Sequence, residues 1–308
     1  MRFTFRDSLI KLAEKDKDVY LLIGDLGYSV VEPFAEKFPS RFINCGVAEQ
    51  NMIGLAAGLA LEGKKPYVFS IIPFTTLRCL EQIRNDLCYQ NLNVKIIGVG
   101  SGFSYGNLGA THFAIEDIGV LRVLPNMTVL CPADPIELKE LMEKSYDKQG
   151  PVYIRLGRGK ERTLYNEEPN LEIGIPSVMK QGKDGLIIGT GTVVDCCQKA
   201  VEKLKDMGFD FKLISLHTVK PINKEALLEE VRGYSLIFTA EEHNIIGGMG
   251  SSLAEILLES GWKGRLKRIG VLDEYTYDIG SMEYLRDKYS LGPDKLAEFI
   301  LKEIKNGK

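Results

Sequence analysis

Apolar positions along this chain fall mostly in short unbroken runs rather than in alternation. Runs at 19–23, 67–72, 94–99, 128–131 and 152–155 are each the length of one strand. An unbroken run predicts a strand covered on both faces, as in a parallel sheet. Between the runs, the stretches 4–15, 50–62, 75–89, 115–124 and 135–145 have the length and patterning of helices. Strand and helix in alternation predict an open α/β layer fold. Near 163–182 the rhythm lapses into a segment rich in Glu, Pro, Asn and Gly, which predicts an interdomain linker holding a strand or two. A second α/β unit follows, with strands at 185–189, 211–216, 236–240 and 267–270, and helices at 193–207, 224–231, 253–260 and 293–305. At roughly 150 residues per domain, the 308 residues divide into a domain at 1–165, a linker at 166–183 and a smaller domain at 184–308.

Composition narrows the function classes. Hydrophobic residues are 44% and charged ones 26%, which describes a folded chain rather than a disordered one. A formal net charge of −3 lacks the basic footprint of a nucleic-acid binder. No apolar stretch reaches the ~18 residues of a membrane span, and the first residues show no signal-peptide core, so a cytoplasmic protein is expected. Six cysteines without a Cys-x-x-Cys pair, and only three histidines, predict no metal site on this chain and reduced, mostly buried thiols.

Some residues stand out as chemistry. Glu49 opens the helix that continues as Ile53-Gly54-Leu55-Ala56-Ala57-Gly58-Leu59-Ala60, small and apolar enough to be buried on most sides. A carboxyl there is expensive unless hydrogen-bonded or protonated; the plain alternative is a first-turn acid complementing the helix dipole. His112 closes the glycine-punctuated loop Gly106-Asn107-Leu108-Gly109-Ala110-Thr111. It can serve as acid, base or donor, or simply cap a turn. Such loops, at the carboxyl ends of strands in open α/β sheets, are where ligands bind. Arg155 runs from an apolar strand into Leu156-Gly157-Arg158-Gly159, where a guanidinium suits bidentate phosphate recognition or snorkels at the surface. Glu241-Glu242-His243 before Gly247-Gly248-Met249-Gly250 predicts a structural or interface role, because adjacent acids repel phosphate.

In order and spacing, a set of segments resembles the C-terminal half of a transketolase over essentially the whole chain. These are Ile23-Gly24-Asp25-Leu26, Phe38-Pro39-Ser40-Arg41-Phe42, Gly46-Val47-Ala48-Glu49-Gln50-Asn51, Gly109-Ala110-Thr111-His112 with Glu116-Asp117, Val123-Leu124-Pro125-Asn126-Met127, 150–155, and Glu241-Glu242-His243 with the glycines after it. The resemblance implies a thiamine-diphosphate-binding, pyrimidine-type parallel-sheet domain followed by a smaller transketolase C-terminal α/β domain. It implies a transferase of carbohydrate metabolism that moves a ketol unit between sugar phosphates through the thiamine diphosphate ylide. Glu49 then matches the glutamate that hydrogen-bonds the aminopyrimidine ring. Phe74 matches an aromatic packing on that ring, though core packing alone would also explain it, and Ile71 stands where a second aromatic is usual. Asp25 and Leu26 match a cofactor-proximal pair, an Asp at a strand end being equally a turn former. His112 resembles the histidine assisting proton transfer at the substrate oxygen, and Arg155 the receiver of a sugar phosphate.

Two departures bear on substrate. Transketolases carry a donor-touching histidine where this chain has Gly100, and a donor-reading aspartate where it has Leu108. Exchanging polar contacts for apolar ones alters donor preference, so a specialised sugar or a 2-oxo acid donor is open beside ordinary ketose phosphates. The Gly-Asp-Gly segment and downstream Asn that hold Mg²⁺ and the diphosphate in the family belong to a domain absent here. The resemblance therefore implies a separate alpha chain supplying them, and an α2β2 heterotetramer in which this chain also dimerises. The beta subunit of a 2-oxo-acid dehydrogenase first component, and a 1-deoxy-sugar-forming synthase, are the alternatives.

Overall fold

The computed structural model describes residues 1–159 and 161–306. Its strands are β1 (Val19–Ile23), β2 (Phe42–Asn44), β3 (Lys65–Ile71), β4 (Lys95–Val99), β5 (Thr128–Leu130), β6 (Val152–Leu156), β7 (Ser177–Lys180), β8 (Gly185–Thr190), β9 (Phe211–Ser215), β10 (Thr218–Lys220), β11 (Leu236–Asn244) and β12 (Arg265–Val271). The first sheet runs β10-β5-β6-β4-β3-β1-β2 and the second β12-β11-β8-β9-β7. All pairings are parallel except those of β10 with β5 and β7 with β9. Strands β4, β6, β8 and β9 are buried at every position. That is what an unbroken apolar run requires, since helices cover both faces. No helix among the described residues is long and apolar enough to cross a membrane.

The structure departs from the sequence pattern in several places. The single helix expected over 75–89 is broken into Ile72–Thr75, Leu80–Gln82 and a π-type turn at Ile83–Cys88. Thr75 and Thr76 turn their hydroxyls back to the carbonyl of Ile72, a bond that competes with regular helix. Strand β7, within the linker segment expected to hold a strand or two, pairs into the second sheet, and β10 leaves the second unit to close the edge of the first sheet. Short helices at Glu32–Lys37 and Met282–Lys288 had no counterpart in the pattern. The helix Glu49–Leu61 is not buried on most sides: Asn51, Gly54, Leu55 and Gly58 face outward. A Cβ at Gly54 or Gly58 would meet nothing within 4 Å.

The two units are tied by buried polar groups. Glu137, in the helix Pro135–Ser145, accepts the Ala133 N–H at 2.7 Å and the Tyr165 hydroxyl at 2.6 Å, and that hydroxyl also bonds Ser177 of β7 at 2.9 Å. Burial pushes the Glu137 carboxyl up to about 7, against the lowering effect of its Tyr165 and Ala133 partners. The folded chain thus holds this proton more tightly than the unfolded one. The resulting stability is complete below the ordinary carboxyl range and is lost as pH rises through 7. Above pH ~8 the penalty is on the order of 3 kcal/mol. Thermal unfolding should therefore occur at lower temperature at pH 8 than at pH 6, and Glu137→Gln should remove most of that difference. An unchanged pH slope in the variant would place the titration elsewhere.

Candidate active site

In the first sheet β1 lies between β2 and β3. The chain leaves β1 to one side and returns to its other side, so a crevice opens beyond the carboxyl ends of β1 and β3, the usual place for a ligand in an open α/β sheet. Segments following β1, β2, β3, β4 and β6 all reach this edge, bringing Gly24, Glu49, Phe74, His112 and Arg158 from distant parts of the sequence.

Glu49 is the first residue of its helix and is 1% exposed. Arg78 Nη1 donates to its Oε2 at 2.6 Å, and Ser70 Oγ, from β3, donates to its Oε1 at 3.3 Å. A side chain at position 24 would bring its Cβ within 3.2 Å of that Oε1, so glycine there keeps one side of the carboxylate clear. The carboxylate and Arg78 line a cleft of about 390 Å³ together with Val47, Ala48, Gln50 and Asn51. Asp25 is exposed, has a left-handed backbone (φ 54°), and accepts a bond from Asn44 Nδ2 at 2.9 Å. Leu26 and Ile71 are half-buried at the ends of β1 and β3.

A row of contacts runs away from Glu49. The Arg78 guanidinium lies 4.3 Å over the Phe74 ring. Phe74 meets His112 edge-on, with centroids 5.2 Å apart. His112 lies 5.9 Å from the Tyr105 ring, and Arg158 Cζ sits 4.5 Å over the Tyr105 face. One continuous path thus links a buried carboxylate, an aromatic, an imidazole and a half-buried guanidinium. Partial burial pushes the His112 imidazole below its ordinary value, so it is neutral near pH 7 and can both donate and accept. Its Nδ1 is 3.0 Å from Thr111 Oγ1, which leaves Nε2 for a ligand.

Arg155 is a correction. It is 2% exposed, and two of its three guanidinium nitrogens are taken by buried protein acceptors. Nε donates to Asp117 Oδ2 at 2.8 Å, while Nη2 donates to the Ala114 and Glu242 carbonyls at 2.6 and 3.0 Å. Tyr153 adds its hydroxyl to the same carboxylate at 2.6 Å. The reason is position: residue 155 is still within β6, with its side chain buried in the seam between the units, and a phosphate has no access to it. Arg158, beyond the strand end and half-buried, is the cation that faces the row. The readable signal was its place in Gly157-Arg158-Gly159 past the last apolar strand residue. Arg78 and Tyr105 were also missed. Arg78 follows Phe74 by four residues, but inside a segment whose helical register does not hold. Glu241 accepts the N–H groups of Met249 and Gly250 at 2.6 and 2.8 Å, capping the helix Met249–Glu259. His243 Nε2 accepts the Gly119 N–H at 3.1 Å across the seam.

Residues 1–163 match the family model described as transketolase, pyrimidine binding domain, and residues 176–296 match that of transketolase, C-terminal domain. A 6-deoxy-6-sulfo-D-fructose transketolase subunit of a Clostridium species is 37% identical over 292 residues, covering 94% of this chain and 90% of that protein. One of the subunits of an apulose-4-phosphate transketolase, from Actinobacillus succinogenes, is 34% identical over 271 residues, covering 88% and 87%. A solved structure described as a split gene transketolase, inactive beta4 tetramer, superposes with a TM-score of 0.89 at 35% identity, covering 98% of this chain and 97% of that one.

Proposed function

The chain belongs to the transketolase family, and from that membership and the row of contacts at the switch point we propose that it is the C-terminal, beta subunit of a two-chain transketolase. The observation that carries this reading is the buried carboxylate of Glu49 at the head of a path through Phe74 to His112. The family's cofactor is thiamine diphosphate, and the residues present fit its aminopyrimidine half: a sequestered carboxylate, an aromatic ring beside it, and a glycine at 24 whose Cβ would crowd the carboxylate. When bound, that group supplies the carbon nucleophile that carries the ketol unit.

The chain's own side chains orient and move protons. Glu49 would hold the pyrimidine ring and exchange a proton with its nitrogen. Phe74 and Ile71 would flank the ring, with Asp25 and Leu26 near the mouth. His112, neutral and with one nitrogen free, serves the substrate oxygen, and Arg158 receives the phosphate of the sugar. Mg²⁺ and the diphosphate are held by the alpha chain. The uncharged outer face of the helix Glu49–Leu61, with open space at Gly54 and Gly58, supports contact with a second copy of this chain in an α2β2 assembly.

The test is reconstitution: this chain mixed with its alpha partner, thiamine diphosphate and Mg²⁺, screened with ketose phosphate donors and aldose phosphate acceptors. Ketol transfer is expected only when both chains are present; transfer by either chain alone, or none by a cofactor-loaded complex, would sink the reading. Within that complex, Arg158→Ala should raise KM for phosphorylated acceptors by roughly 10- to 100-fold, the loss of one charge-assisted hydrogen bond, with little change in kcat. Steady-state kinetics with phosphorylated and unphosphorylated acceptors decides it.

A further inference from the structure

Tyr105 belongs to neither end of the proposed chemistry, yet it joins them. Its ring is 9% exposed, carries Arg158 Cζ on one face at 4.5 Å, and lies 5.9 Å from His112. It can lie there because residue 100 is glycine: a Cβ at that position would come within 2.2 Å of the Tyr105 ring, and the backbone at 100 has φ +95°. The loop on either side is fixed. The Phe103 N–H donates to Glu242 Oε1 at 3.3 Å, and the Ser104 hydroxyl donates to the Ser101 carbonyl at 2.7 Å. The Gly280 N–H donates to the Gly106 carbonyl at 3.2 Å, an approach so close that a Cβ at 106 would sit 2.5 Å from the Gly280 carbonyl. A ring so held is a rigid spacer.

We propose that Tyr105, seated in the gap left by Gly100, is a specificity-determining residue that fixes the distance between the Arg158 guanidinium and His112, and so selects phosphorylated sugars by the length of chain between phosphate and reacting oxygen. The inference rests on the reading of Arg158 as the phosphate-binding residue. A guanidinium stacked on an aromatic face keeps its N–H edge free for bidentate recognition of an anion. Without the ring the long Arg158 side chain samples many rotamers, and phosphate binding must then order it. The ring's face does this work, so the hydroxyl is not required.

The experiment uses the reconstituted complex and a series of aldose phosphates of increasing chain length, each beside its unphosphorylated counterpart. Tyr105→Leu should raise KM for the preferred phosphorylated acceptor about 10-fold and flatten the dependence on length. It should leave kcat, and KM for unphosphorylated acceptors, near wild type. Tyr105→Phe should retain wild-type behaviour, a rescue that a lost hydrogen bond would not give. Gly100→Ala keeps Tyr105 but evicts its ring, and should reproduce the leucine variant; it decides the matter should Tyr105→Leu fail to assemble. Wild-type KM and length preference in Tyr105→Leu, with Arg158→Ala still impaired, overturn the spacer role alone. A silent Arg158→Ala overturns the phosphate reading and this inference with it.

Discussion

Glu49→Gln, in the complete two-chain complex, is expected to lower turnover by about 10³-fold or more, the scale of a lost general acid–base group. Glutamine keeps the volume; with its carbonyl toward Arg78, its amide N–H can donate to the Ser70 hydroxyl instead, but it cannot exchange a proton. The substitution should be nearly silent in stability. The Arg78 side chain is 42% exposed, so water screens its charge and the lost charge pairing is worth little. A large fall in kcat with an unchanged melting temperature is the expected signature. Equal turnover in wild type and variant would remove Glu49 from the chemistry. A fall in melting temperature to match would make it a packing residue.

The second large effect is on folding. Arg155→Ala removes the partner of Asp117, whose side chain is 1% exposed, and leaves the Ala114 and Glu242 carbonyls without their donor. Breaking one side of a buried ion pair costs about 3–5 kcal/mol, because the remaining charge stays desolvated. For a chain of this size that corresponds to a melting temperature lower by roughly 10 °C. The same buried network includes the Tyr153 hydroxyl, so Tyr153→Phe in the Arg155→Ala background should cost less than it does alone. A variant that melts like wild type but shows a raised KM for sugar phosphates would restore Arg155 to the site and displace Arg158.

Much of the architecture was legible because buried parallel strands leave unbroken apolar runs. The runs at 19–23, 94–99 and 152–155 lie within or next to β1, β4 and β6 as observed. Strand β10 was not legible: three residues, Thr218–Lys220, become a strand only because β5 lies beside them. The break within 72–88 escaped because its apolar residues keep helical spacing while two threonines turn back on the Ile72 carbonyl. Arg78, within that break, reaches Glu49 and lies over the Phe74 ring. Arg155 misled because an arginine near the end of a strand and one two residues past it differ by tertiary surroundings, not by residue type. Glu49 and His112 were legible as candidates, yet that they share one row depends on loops from separate strands converging, which no local pattern records.

The antiparallel strand that completes the seven-stranded sheet has an evolutionary corollary. Its main-chain groups satisfy an edge that would otherwise be a template for pairing with other molecules, and the Cys131 N–H donates to the His217 carbonyl at 2.7 Å in the same seam. Severing the polypeptide between its halves would bare that edge, so the first unit cannot be shuffled into a new gene without its follower.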